Sequence, residues 1–460
     1  MTTRRPHLYQ LAAVVIVSLV AAACTSDGDD PATATDEVVT SSTTSVATAE
    51  TEPPATSDGS DEPAEALTAS HRGVTAEAIT IGVAAVDLEQ INDLFGLDFA
   101  VTPTEEMYQA TVDVVNEAGG INGRELQIEF RGFQPVGAEG ADQVCLELME
   151  DEEVFVVIGQ FLQDSMLCIT DTYGHPYVGL FGETPERQQK SDGLFFAVEI
   201  SQVDQRSGGT QAMVDAGDFD GRKVAVVWAS AADAVYFDAV DPVLDAAGVD
   251  VVAEIEVDAF TTDEVNNDAA WDIAMERIQA AEADLVLNLS GITGVLDAVE
   301  RNGAPQIVAH TNGQAADGAT VLEESIAGEA VLSNSFAVTT WKPDRDESLA
   351  DAGVQDCIAD FEAAFPDIEI DLTSDDWVNA FRNTCAAVDL TAQILQAAGP
   401  DLNPETFRTG GESLGAIDLP GMSGSFIGPE SHSAGAVLSR YEYDAQTKQY
   451  VKVGEPIPTG

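Results

Sequence analysis

The feature that most constrains this fold is an alternation that begins at Ala78. Short runs rich in Val, Ile and Phe alternate with longer stretches whose apolar residues recur at helical spacing. Ile79-Thr80-Ile81-Gly82-Val83 reads as the first strand. An irregular stretch around residues 91–101 follows. Then Met107, Ala110, Thr111, Val114, Val115 and Ala118 fall on one helix face. Gly119-Gly120 stops that helix, and Leu126, Ile128 and Phe130 alternate as the second strand. The cycle repeats as helix 138–149, strand 154–158, helix 163–172 and strand 177–181. A second series begins after about Ser201. Its strands are 223–228, 251–257, 284–289 and 306–310, separated by helices 203–216, 232–247, 267–281 and 293–302. Pro242 either kinks the second of these helices or marks its true start. Residues 331–336 read as a strand, 377–398 as the clearest late helix, and 426–453 as short strands and hairpins. Unbroken apolar strands suit a sheet covered on both faces. The chain is therefore predicted to be α/β, with doubly wound parallel sheets. The helices after Ser374 have no strand series of their own, so they are expected to pack back on the first unit. Two lobes with a cleft between them follow.

The start of the chain sets its address. Arg4 and Arg5 precede an uncharged apolar run at residues 11–23. That run is shorter than the about 20 residues a membrane span needs, and it reads as a signal peptide. Val20-Ala21-Ala22-Ala23-Cys24 resembles the lipobox of bacterial lipoproteins. The resemblance implies cleavage before Cys24, acylation there, and a lipid anchor on the extracytoplasmic face of the cell membrane. An ordinary signal peptide with a coincidental cysteine is the other reading. Residues 25–70 carry no Lys, Arg or aromatic residue and are rich in Thr, Ser, Ala, Pro and acids. Such a segment cannot bury enough apolar surface to offset its ordering entropy, and residues 24–75 are expected to be a disordered acidic tether.

The net charge is −62, from 81 acidic and 19 basic residues. A surface this negative repels nucleic acid and anionic headgroups. Beyond Cys24 four cysteines remain: Cys145, Cys168, Cys357 and Cys385. In an exported chain that count argues for two disulfides, with three pairings open. Cys145–Cys168 with Cys357–Cys385 closes the shortest loops. Each bridge would add about 3 kcal/mol on the chain-entropy model. A zinc site is the rival reading, but there is no C-x-x-C spacing and no histidine beside any of them.

Asn116-Glu117-Ala118-Gly119-Gly120-Ile121-Asn122-Gly123-Arg124 resembles a hallmark of the type I periplasmic binding proteins. Among them it is most similar to the Leu/Ile/Val-binding branch of ABC-transporter solute-binding proteins. Gly421 to Gly428 is similar to that family's glycine-bearing final crossover, and Cys145 with Cys168 would match its disulfide. The resemblance implies two Rossmann-like lobes, three interlobe crossovers and a ligand in the cleft. Residues 76–200 and 337–425 would form the amino-terminal lobe, and 201–336 and 426–460 the other. The implied partners are a small-molecule ligand and the membrane permease of an ABC transporter. The chain would act as a monomer, without cofactor or metal.

Ligands of open α/β sheets bind beyond the carboxyl ends of strands, and four loops qualify. In the first, Phe161, Gln163 and Ser165 lead into a helix whose amino-terminal end suits an anion. A plain helix cap is the alternative there. In the second, Gly182, Glu183 and Thr184 match the family loop that holds a ligand's carboxylate and amine, while Glu183 is also suited to a cation. The third is Trp228 to Ala231 with Tyr236, matching a family aromatic that walls the cleft; Tyr236 is equally suited to a core. The fourth contains Ser290, Gly291 and Thr293, all uncharged, where amino-acid binders commonly place an acid. Burying an unpaired ammonium costs several kcal/mol, so a carboxylate, amide, polyol or aromatic acid suits this loop instead.

No G-x-S-x-G elbow, H-E-x-x-H helix or Walker loop is present. The histidines stand at 7, 71, 175, 310 and 432, scattered among signal, tether, loop and strand end. The expected function is capture of a small polar molecule (an amino acid, amide or related organic acid) and its delivery to an ABC-type permease by hinge closure, with no catalysis. The alternatives are a ligand-sensing surface lipoprotein with a separate partner and, further off, an unrecognised hydrolase.

Overall fold

The computed structural model describes residues 67–95, 100–134, 139–161, 163–229, 233–259, 264–311, 325–340, 345–422, 424–435 and 437–458. The signal segment 1–23, Cys24, the tether up to residue 66, and Ser230 and Ala231 of the third loop lie outside these residues.

Five parallel strands make the first sheet: β1 (Ala78–Val86), β2 (Glu125–Phe133), β3 (Val156–Gly159), β4 (Tyr177–Gly182) and β5 (Phe195–Ser201), in the order β2-β1-β3-β4-β5. The second sheet repeats that winding with β6 (Lys223–Trp228), β7 (Asp250–Glu256), β8 (Leu285–Asn288), β9 (Ile307–His310) and β10 (Ser335–Thr340) in the order β7-β6-β8-β9-β10. A small ladder pairs β11 (Gly415–Ala416) with β12 (Phe426–Ile427). The antiparallel strands β13 (Val437–Asp444) and β14 (Gln449–Pro458) then extend the second sheet beyond β10. The inner parallel strands are apolar on both sides because helices cover both faces, whereas the edge strands β2 and β7 carry exposed polar residues. Ile79, Ile81, Val156 and Ile158 enter one core, and Val157 and Val154 the other. The late helix Asp375–Ala398 lies on the first sheet, with Leu390, Ile394 and Leu395 in the core of β1, β3 and β4. The chain thus passes between the two sheets three times: at Ser201, between Thr340 and Arg345, and between residues 435 and 437.

The glycine-rich motif works as a clamp. Ile121 and Arg124 exchange backbone bonds around Asn122 and Gly123, which both take positive φ (51° and 85°). That is the geometry of a tight primed turn. Asn116 grips the backbone of Leu126 from both sides, at 2.7 and 3.0 Å. Arg124 is fully buried and donates to the carbonyls of Thr75, Pro400 and Thr68.

The structure departs from several expectations. Residues 67–75 pack on the first lobe through Arg124 and a bond from Ser70 Oγ to the Leu402 carbonyl, so the ordered chain begins ahead of residue 76. Residues 91–95, expected to be irregular, belong to the helix Leu88–Phe95, whose Gln90 N–H donates to Asp87. Residues 163–172 are not one α-helix. A 3-10 turn, Gln163–Met166, runs into a widened turn, Cys168–Thr172. β5 was not foreseen. Val331 and Leu332 lie in a short helix, and their strand starts later, at Ser335. Pro242 sits inside the helix Ala234–Ala247, which continues through it. The cysteines pair as Cys145–Cys168 and Cys357–Cys385.

Candidate functional site

Both sheets share a winding in which the second strand lies outside the first. The helices that follow β6 and β8 therefore leave on opposite faces, as their separate cores show for Val240 and Leu244 against Val295 and Leu296. A crevice opens where such connections diverge, and it is the usual ligand position in open α/β sheets. One crevice lies at β1/β3 and the other at β6/β8.

In the first lobe the loop after β3 closes its own crevice. Gln160 Oε1 accepts from the Val86 N–H at 3.3 Å. Phe161 is almost wholly buried. Its ring stacks on Tyr177 (centroids 5.9 Å apart) and lies against Phe133, while its N–H donates to the Tyr177 hydroxyl. The Phe161 side chain is thus core and not a cleft wall, because it completes an aromatic stack beneath the loop. Ser165 is half-buried in the 3-10 turn that Gln163 opens. A turn that short carries little aligned dipole, which removes the helix-end argument for an anion there.

The loop after β4 is charged and interlocked. Glu183 pairs with Arg187 at 2.9 Å, and Arg187 also holds Asp164 from the preceding loop at 2.7 Å. Burial raises the Glu183 pKa, against the pull of Arg187. Thr184 stands at the cap position of helix Pro185–Lys190, but its side chain makes no capping bond. Gly182 has a different duty. A Cβ there would fall 2.5 Å from both the Ser201 nitrogen and the Ser433 hydroxyl. Only a residue without a side chain lets the end of β4 touch two of the three crossings.

The second lobe presents a denser set. Tyr236 donates to Gln202 Oε1 at 3.0 Å, and the Arg206 guanidinium lies 4.4 Å over its ring. Burial raises the Tyr236 pKa. Arg206 and Asp233 of its own lobe and Arg187 and Glu183 of the other all lie within electrostatic reach of the phenol. The loops after β4 and β6 therefore lie within electrostatic range of one another. Arg206 is buried, with Nε on the Leu289 carbonyl at 3.1 Å and Nη1 on Gln205.

Ser290 does not offer its hydroxyl to a guest. Oγ accepts from the Ala229 N–H at 2.8 Å and donates to Asp233 at 2.6 Å. Asn288 shapes the same loop by donating to the Ser290 and Gly291 carbonyls. Thr293 is half-buried in the first turn of helix Ile292–Asn302. The fourth loop is uncharged in sequence, yet Asp233 brings a carboxylate to it from the loop before. Burial raises the pKa of that carboxylate, with Ser290 and Arg206 opposing. Sequence reasoning missed Asp233, Arg187, Arg206 and Asn288. Only Arg187 had a local signal, its spacing of four from Glu183 on a helix.

Two recesses stand out, and only one of them lies on the edge that carries the ligand loops. One of about 320 Å3 lies at the amino-terminal ends of β6 and β7, far from the ligand edge, between Phe219 and Asp250. The other, about 200 Å3, lies at the carboxyl ends of β1 and β2, bounded by Asp87, Thr102, Thr104 and Gly132, and continues the cleft edge of the first lobe. Among the described residues no cluster of His, Cys, Asp and Glu is placed to hold a metal ion, and no helix is long and apolar enough to cross a membrane.

Two α/β lobes with parallel-dominated sheets, joined by repeated crossings, define the type I periplasmic binding protein fold. A family profile described as "Periplasmic binding protein" matches residues 98–448, and the chain belongs to that family. No curated protein matches the sequence. Similar solved structures include an ABC transporter substrate-binding protein from Desulfitobacterium hafniense in complex with Leu, at 16% identity and TM-score 0.57, covering 82% of this chain and 100% of that one. A solute-binding protein of an ABC transporter from R. palustris, in complex with 4-hydroxybenzoate, aligns at 15% identity and TM-score 0.59, covering 83% and 97%. Another, from Rhodopseudomonas palustris BisB5 with 3,4-dihydroxybenzoic acid, aligns at 12% and 0.56, covering 83% and 98%. At these identities the structures establish the fold.

Proposed function

We propose that this chain is an extracytoplasmic solute-binding lipoprotein that captures a small polar molecule and delivers it to an ABC-type permease by hinge closure. One observation carries the reading. Charged loops from the two lobes converge on Tyr236, where Glu183 and Arg187 face Arg206 and Asp233. A guest lodged there touches both halves and favours the closed arrangement. Ser165, Thr184, Tyr236 and Thr293 would supply polar contacts at its edge. Residues 67–201 and 345–435 would move as one body and 202–340 and 437–458 as the other. Acylation at Cys24 would hold the monomer at the membrane. The fold relatives held leucine or hydroxybenzoates, so amino acids and aromatic acids head the ligand panel. A thermal-shift and calorimetry screen over these, small amides and polyols tests the reading. A ligand should raise the melting temperature and be recovered unchanged. Recovery of an altered product, or no shift with any class, would overturn it. Replacing Cys24 by serine should release the protein from membranes.

A further inference from the structure

We infer that Arg206 is a positioning residue for solute capture: it ties the two ligand-facing loops of the second lobe to the chain crossings, so that a guest pressing on those loops is felt at the hinge. The inference rests on the solute-binding reading above and names the residue that carries contact from cleft to hinge.

Position comes first. Ser201 ends β5 at the first crossing and caps helix Gln202–Ala216. Gln205 and Arg206 follow at the start of that helix, and both are buried. Gln205 donates to the hydroxyl of Thr340, the last residue of β10 before the second crossing. Gly209 seats the same helix directly on β10, because a Cβ there would fall 2.5 Å from the Val338 carbonyl oxygen. Arg206 donates from Nη1 to Gln205 Oε1. Its Nε reaches the Leu289 carbonyl at 3.1 Å, where the loop after β8 begins. Its guanidinium carbon lies 4.4 Å over the ring of Tyr236, in the first turn of helix Ala234–Ala247. That helix follows the loop after β6. One side chain thus joins both ligand loops to both crossings.

Chemistry comes second. A guanidinium is costly to bury, and the usual compensation is a carboxylate. The hydrogen bonds of Arg206 go instead to neutral oxygens: the Leu289 and Gln202 carbonyls and the Gln205 amide. A helix that needed only packing would place an apolar side chain here, since such replacements of buried ions are often neutral or stabilising. What the guanidinium adds is geometry. Its planar fork sends donors in fixed directions and leaves a flat face for the Tyr236 ring. It therefore holds Tyr236 and Leu289 in one arrangement relative to Ser201 and Thr340. Tyr236 also donates to Gln202 Oε1 at 3.0 Å, at the start of the same helix. A guest that moves the ring moves the guanidinium with it, and the opening of helix Gln202–Ala216 follows.

The test uses the full chain, with leucine or 4-hydroxybenzoate as probe, or the panel member that binds in their place. Arg206→Met removes the fork and keeps an unbranched apolar chain. Native-state hydrogen exchange of the free protein should show the amides of Ala229 and residues 289–293 exchanging about tenfold faster or more, while those of β7 stay as they were. Calorimetry should show probe affinity falling about tenfold in the parent and only about threefold on a Tyr236→Leu background, because the two side chains act together. Arg206→Lys keeps the charge without the fork. It should fall between the parent and Arg206→Met in both readouts, and it carries the comparison if the methionine variant does not fold. Faster exchange spread evenly over the second lobe, equal losses on both backgrounds, or a lysine variant indistinguishable from the parent would overturn the inference and leave the solute-binding reading standing. No binding by any panel member would overturn that reading, and with it a role for Arg206 in capture.

Discussion

The two lobes share one winding and differ in how they are held. Both disulfides lie with the first lobe: Cys145–Cys168 beneath β3, and Cys357–Cys385 between helices Ala352–Ala364 and Asp375–Ala398. The second lobe has no cystine among its described residues. Instead it buries a row of polar side chains across four strands: Asn288, His310, Thr339 and Ser439. His310 Nε2, Thr339 Oγ1 and Ser439 Oγ have no hydrogen-bond partner among the described residues, and such groups cost stability. The crevices differ in the same sense. Gln160 plugs the first, while in the second the Asp233 carboxylate is held by the Ser290 hydroxyl. One lobe is thus a covalently stapled platform. The other is a softer body, for which a guest would do more.

The largest effect that would break this comparison comes from reduction. Loops of 23 and 28 residues are closed by the two bridges, and each is worth about 3.5 kcal/mol on the chain-entropy model. In oxidised protein the second lobe should unfold first in urea, as reported by Trp228 and Trp271, before the signal of Trp377 in the first lobe changes. With the bridges reduced, the Trp377 transition should move to or below the others. An unchanged order after reduction would mean that the staples do not set the difference.

The next effect is pH-dependent and belongs to the second lobe. His310 is fully buried and accepts from Asn288 at Nδ1, and burial pushes its pKa down to about 3. An unfolded chain takes up that proton near pH 6.5, the folded lobe only near pH 3. The unfolded state therefore binds more protons between those values. Stability is fully present above pH 6.5 and falls as pH drops toward 3, by up to about 1.4 kcal/mol per pH unit. Urea midpoints of the Trp228 and Trp271 transition should show this slope. His310→Gln should flatten it relative to the parent, while the first lobe's pH dependence stays as it was.

How far this contrast was legible depends on range. The apolar runs of β1, β3, β4 and β6 declared a covered parallel sheet, and the repeated winding followed from their order. β5 escaped because the helix before it, Pro185–Lys190, is a proline and five polar residues with no apolar period. The strand Phe195–Ser201 therefore broke the β-α-β rhythm. The ligand loops could be placed from strand ends, but not the duties of their side chains. Ser290 is spent on a partner 57 residues away, and no spacing rule encodes that contact. An aspartate before an amphipathic helix reads as a cap, so Asp233 was hidden by a common local role. Phe161 looked available because it follows a strand, while its true neighbours, Tyr177 and Phe133, come from other strands.

The smallest effect tests whether the lobes can be treated separately at all. Gly182 ends β4, carries the Glu183-Thr184 loop, and abuts Ser201 of the first crossing and Ser433 of the third. Ser201 in turn caps helix Gln202–Ala216 by accepting from the Asp204 N–H at 3.0 Å. The first turn of that helix holds Gln202, Gln205 and Arg206 against Tyr236, Thr340 and Leu289. A methyl group at residue 182 must push the end of β4 away from both crossings. Overpacking of this kind costs about 1–3 kcal/mol. If the crossings couple the lobes, Gly182→Ala should weaken ligand affinity and lower both urea transitions together. A loss confined to the Trp377 transition, with affinity unchanged, would show that the stapled lobe absorbs the strain alone and that closure does not pass through this contact.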